Sequence, residues 1–99
     1  MRYEYDDEFV TSFVDDTAIE KIETKSYIEI FEKYGISDSF YLEKLTKAKV
    51  YMELAKMNLE AEGMRDKYEV YKNEFDFYFR LAKNENKITT LKNISVQRA

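Results

Sequence analysis

Between Tyr41 and Leu59 the residues Tyr41, Leu45, Ala48, Met52, Ala55 and Leu59 recur at steps of 4, 3, 4, 3 and 4. Such a heptad seam predicts a helix, and Leu42 and Leu54 widen its apolar face. The small residues Ala48 and Ala55 let a second helix approach closely. The same period returns at Met64, Tyr68, Tyr71, Phe75, Tyr78 and Ala82. Because Leu59 to Met64 is a step of five, the two seams are out of register, and Gly63 lies between them. That combination predicts a hairpin of two helices and not one straight rod. Upstream, Ile19, Ile22, Ser26, Ile30 and Tyr34, with Tyr27 and Phe31 alongside, form a stripe that stops at Gly35, a residue suited to a left-handed helix end. Asp15, Asp16 and Thr17 are cap candidates for that helix, and Thr17 with Glu20 fits a capping box. Ser37, Asp38 and Ser39 serve the next helix in the same way.

The flanks follow no such period. Tyr3, Tyr5, Phe9, Val10, Phe13 and Val14 stand among acids, which is too apolar for a free tail and predicts an arm that docks. After Lys83 the text turns to Asn, Thr and β-branched residues, so the last helix is expected to end near Asn84. Ile94 and Val96 then alternate with Ser95 and Gln97 in a strand-like pattern that either frays or finds an edge or groove on another protein. The expected architecture is all-α: a three-helix bundle with a long helical hairpin, with arm 1–14, helical domain 15–83 and extended tail 84–99.

Phe75, Phe77, Tyr78 and Phe79 fall within five positions and point around most of a helical turn, so one neighbouring helix cannot cover them all. Either the arm folds over the surplus, or another chain does, since Tyr and Phe are enriched at interfaces. These four residues are the candidate subunit interface.

Composition narrows the chemistry. The 99-residue chain has no Cys and no His, which removes disulfides, thiolate nucleophiles, Cys-based metal sites and the side chain that titrates nearest neutrality. No enzyme and no cofactor are expected. Two Gly and no Pro argue against a β-protein, which needs turn residues at regular spacing. No apolar run reaches the roughly 18 residues of a membrane span, and the acidic start MRYEYDDEF does not resemble a signal peptide, so an intracellular protein without membrane contact is expected. The acid clusters Asp6, Asp7, Glu8 and Asp15, Asp16 lack the spacing of a calcium loop and are read as caps and solvated surface. Lys44, Lys47, Lys49 and Lys56 alternate with Glu43, Glu53 and Glu60, which weakens any nucleic-acid reading.

The net charge of −4 conceals an asymmetry. Residues 1–32 hold ten acids and three bases, 3 − 10 = −7, whereas residues 33–99 hold ten acids and thirteen bases, 13 − 10 = +3. From Arg80 onward five bases face the single acid Glu85. Copies packed head to tail would set acid against base, which fixes partner and register more than affinity. Local pairs such as Glu29 with Lys33, Glu43 with Lys47 and Asp76 with Arg80 are the simpler use of these charges, each contributing about 0.3 to 0.5 kcal/mol.

The order of segments is FVDDTAIEKIE, a helix ending in YGI, the helix YLEKLTKAKVYMELAKMNLEAEG, and the aromatic DKYEVYKNEFDFYFRLAK. It resembles the small helical head-to-tail adaptor, or connector, proteins of tailed bacteriophages. Their second helix has the form L-x-x-A-x-x-Y-x-x-L-A, matched here by Leu45, Ala48, Tyr51, Leu54 and Ala55, and the likeness covers about residues 10–83. It implies a structural virion protein in a ring, often of twelve copies, between the portal protein and a neck or tail-completion protein. DNA would pass through the lumen without sequence-specific binding. The protein would be found in the virion neck, and in the host cytoplasm during assembly. The tail, with Ile88, Leu91, Ile94, Val96 and Arg98, would then contact the portal or another partner. The alternative from another class is a small acidic helical regulator or inhibitor that binds one host protein through Glu4 to Asp16.

Overall fold

The computed structural model describes the backbone of residues 1–98 and the side chains of residues 1–84. The described residues are mostly helical, with no strand among them: α1 (Glu8–Thr11), α2 (Asp16–Ile28) running on into a π-helical turn (Glu29–Lys33), α3 (Ser39–Met57) and α4 (Met64–Arg98). The all-α class is as expected.

Asp15, not Thr17, caps α2: its carboxylate accepts the Ala18 N–H at 2.9 Å. Thr17 lies inside the helix, so the expected capping box is not used. Asp38 caps α3 by accepting the N–H groups of Phe40 at 2.9 Å and Tyr41 at 3.1 Å. Gly35 (φ 68°) and Gly63 (φ 84°) both take the left-handed conformation, which ends the first helical segment and breaks the chain between α3 and α4. The hairpin is therefore made where the register slips.

Residues 84–98, read from sequence as an extended tail, continue α4 as helix to Arg98. After Gly63 the chain has neither Gly nor Pro to stop a helix, and Asn, Thr, Ile and Val each cost only a few tenths of a kcal/mol relative to better helix formers. The side chains of Ile88, Leu91, Ile94, Val96 and Arg98 lie outside the described residues.

α3 is the central element, packed against α4 on one side and α2 on another, with α1 over its C-terminal half. Consequently it is buried nearly all round: Leu42, Leu45, Thr46, Ala48, Val50, Tyr51, Leu54 and Ala55 are all enclosed, more than the seam alone predicts. Two apolar clusters result. One joins Val10 of the arm to Ile19, Val50, Tyr51, Leu54, Ala55 and Met64, and the other joins Ile30, Ile36, Leu42, Leu45 and Ala82. The molecule measures 57 × 24 × 20 Å. Its length follows from α4, whose 35 residues rise about 1.5 Å each.

Candidate assembly surface

The inward face of α4 follows the heptad. Met64 and Ala82 are buried, and Tyr68, Tyr71, Phe75, Tyr78 and Phe79 are half-buried against the two clusters. Phe75 stacks on Phe79 at 5.8 Å between ring centroids, and Tyr34 meets Phe79 edge-on at 5.3 Å. Three of the four candidate interface residues, Phe75, Tyr78 and Phe79, therefore pack against the chain's own core. Phe77 does not, and it remains 52% exposed.

At about 100° per residue, Val70, Phe77 and Leu81 fall within about 40° of one line along α4, roughly 120° around the helix from the buried face. All three are exposed. Phe40, at the start of α3, extends this stripe sideways: it is 55% exposed and its ring lies 6.0 Å from that of Tyr78, which in turn meets Phe77 at 5.3 Å. Lys44 places its ammonium 5.7 Å from the Phe40 centroid and 5.9 Å from that of Tyr78. Lys83 donates to the Tyr34 carbonyl at 2.8 Å beside Phe79. The result is a partly exposed aromatic patch with Lys44 and Lys83 beside its rings. No protein-family model, curated protein or solved structure matches the chain.

The arm does not cover this stripe. It runs instead from Tyr27, over which the Arg2 guanidinium lies at 4.0 Å, to the Gly63 turn, where Phe9 packs, and it is held by acids that accept hydrogen bonds from tyrosines. Buried Glu23 accepts the backbone N–H of Arg2 at 2.7 Å and of Tyr3 at 3.0 Å, and the Tyr5 hydroxyl at 2.7 Å. The Asp7 N–H donates to the Tyr51 oxygen at 3.2 Å, and the Tyr51 hydroxyl donates to Asp6 at 3.1 Å. The Asp7 carboxylate takes Lys67 at 2.9 Å, the Val10 N–H at 3.3 Å and the Tyr71 hydroxyl.

Burial pushes the Asp7 carboxyl upward, but the hydrogen bonds from Tyr71, Lys67 and Val10, with the Lys67 charge, outweigh it and hold it below the usual range. Burial, then the hydrogen bond to its carboxylate partner, pushes the hydroxyls of Tyr5 and Tyr71 well above theirs, so both remain donors at ordinary pH.

Among the described residues no group of three His, Cys, Asp or Glu could hold a metal ion, and no helix is long and apolar enough to cross a membrane. Ion pairs form across elements more than along them. Lys49 reaches Glu29 at 3.9 Å and Glu53 at 3.7 Å, and Lys67 reaches Asp7. Of the expected local pairs, Glu29 turns to Lys49, and no ion pair joins Glu43 with Lys47 or Asp76 with Arg80 among the described residues. Sequence reasoning missed Phe40, which precedes the α3 seam, and Glu23, an acid on an apolar stripe. The signal for Glu23 was its place four residues after Ile19 and seven before Ile30.

Proposed function

We propose that this chain is a structural assembly protein, a head-to-tail adaptor built as a three-helix bundle that acts by docking and not by catalysis. The observation that supports this reading is the exposed stripe Val70, Phe77, Leu81 with Phe40 beside it, on a molecule whose arm is already committed elsewhere. Half-exposed aromatic rings contribute little to a lone protomer's stability and much to an interface once water is excluded. In this reading the copies form a ring between a portal protein and a neck or tail-completion protein, with DNA passing through the lumen. The end of α4 would extend toward that partner. The regulator reading draws less support: two of its acids, Asp6 and Asp7, are engaged by Tyr51, Tyr71 and Lys67 within the chain.

Native mass measurement of the purified chain, with and without a portal ring, is the test. The wild-type chain should join the portal in several copies, and Phe77→Asp should not, although it remains a folded helical protein. A chain that stays a monomer or dimer and ignores the portal would overturn the adaptor reading in favour of the regulator.

A further inference from the structure

The exposed stripe of α4 does not stop where the rest of the hairpin does. α4 is 35 residues long and spans about 52 Å, whereas the 19 residues of α3 beside it span about 28 Å. Both helices meet at the turn that holds Gly63, so about 24 Å of α4 runs on past the first residue of α3. Along this helix Phe77, Leu81, Asn84, Ile88, Leu91 and Ser95 recur at steps of 4, 3, 4, 3 and 4, which sets them within about 40° of one line. Phe77, Leu81 and Asn84 on that line are exposed. The inward face behaves in the opposite way: after Ala82 its positions are Asn86, Thr89 and Asn93. Ile94 and Val96 fall about 100° to either side of the line. Beyond the body, the apolar line of the sequence is therefore the one that starts at Phe77. Residues 84–98, rich in Asn, Thr and β-branched types, make a weak helix by themselves and need a packed face to hold it.

We infer that this second heptad seam, from Phe77 to Leu91, pairs with the same seam of a second copy, the two α4 helices running parallel and in register as a short coiled coil. This names the partner of the proposed assembly stripe and so rests on that reading. Asn84 selects both the partner and the direction. In a parallel pair each seam position meets its own counterpart, so Asn84 meets Asn84 and amide can bond to amide, a layer that fixes register at some cost in stability. In the antiparallel pair that overlaps the same seam, Leu81 meets Leu91 but Asn84 meets Ile88 twice, which leaves both amides without a partner. Flanking charges agree in direction. Parallel pairing sets Arg80 across from Glu85 and Lys87 across from Lys92, one attraction and one repulsion, whereas antiparallel pairing sets Glu85 against Glu85 and Lys87 against Lys87. The seam lies roughly 120° around α4 from its buried face, so the two bodies stand on the outer sides of the pair. Glu74 precedes Phe77 at the next seam position and Ser95 follows Leu91, so the apolar layers are those of Phe77, Leu81, Ile88 and Leu91. A seam this short gives an association that grows with concentration.

Because the chain has no Cys, one engineered thiol reports the contact. Leu91→Cys is oxidised mildly in the full chain, with Ser95→Cys as a second probe should Leu91→Cys weaken the seam. Thr24→Cys, exposed on α2, records random collision. Leu91→Cys should give a disulfide-linked dimer several-fold above Thr24→Cys. Mixed with Leu81→Cys it should give mainly the two homodimers, since the two positions stand about 15 Å apart along the helix. Adding Phe77→Asp to the Leu91→Cys chain should cut the dimer several-fold, because two carboxylates would then meet in the first layer. A dominant mixed product of Leu81→Cys with Leu91→Cys, a yield at the Thr24→Cys level from both seam probes, or a yield indifferent to Phe77→Asp would overturn the pairing. No portal is present, so cross-links with failed portal binding overturn the adaptor reading alone, and portal binding without cross-links overturns the pairing alone.

Discussion

At the residue scale, Glu23 and Asp7 decide where the first fourteen residues go. Glu23 gathers three donors from the arm on two oxygens, and charge-assisted bonds of this kind are about twice as strong as neutral ones. Glu23→Gln turns one oxygen into a donor facing donors. It should lower stability by about 1 to 3 kcal/mol, measured by urea unfolding, and expose the arm to protease. Asp7 supplies a pH dependence whose sign is fixed by its depressed carboxyl. The stability it adds is complete above the unfolded carboxylate value of about 3.9 and is lost as pH falls through the lower folded value. Unfolding at pH 6 and pH 2.5 should show a smaller acid loss for Asp7→Asn than for the wild-type chain; equal losses would remove Asp7 from this role. The sequence displayed these acids without their partners. Asp7 and Tyr71 are 64 positions apart, a separation that spacing arguments do not reach.

Among the elements, the heptad seams were legible because each reports a helix packed along one face, and Gly63 marked the break because the phase slipped there. α3 exceeded its seam because it is enclosed by α2, α1 and α4, which no single periodicity encodes. The end of α4 was misread because propensity was given more weight than the lack of any breaker. At Gly63 the cost of a side chain comes from backbone conformation: φ is 84° and the nearest side-chain atom leaves ordinary van der Waals room. Gly63→Ala should therefore lose about 1 to 2 kcal/mol, read as a drop in Tm of roughly 4 to 16 °C for a chain of this size. Leu54→Ala, fully enclosed near the C-terminal end of α3, should lose about 2 to 5 kcal/mol. Were the two losses reversed in order, α3 would not be the central element.

For the whole molecule, the acidic first third of the sequence is spread along the body, because the arm lies across α2 and α3 with Glu23 and Asp7 turned inward. Four aromatics in five positions suggested more surface than one chain can hide; folding reduced that surplus to Phe77, since Phe75, Tyr78 and Phe79 turn inward. Which of the four stays exposed depends on how α4 is turned against α3 and Tyr34, and that was not readable in advance. The central claim is that this remaining ring, with its neighbours Phe40 and Leu81, is an assembly surface. Sedimentation equilibrium of wild-type and Phe77→Asp chains over a hundred-fold concentration range tests it most directly. The wild-type mass should climb with concentration while Phe77→Asp stays at one protomer with an unchanged urea midpoint. Identical sedimentation of the two chains would contradict the account.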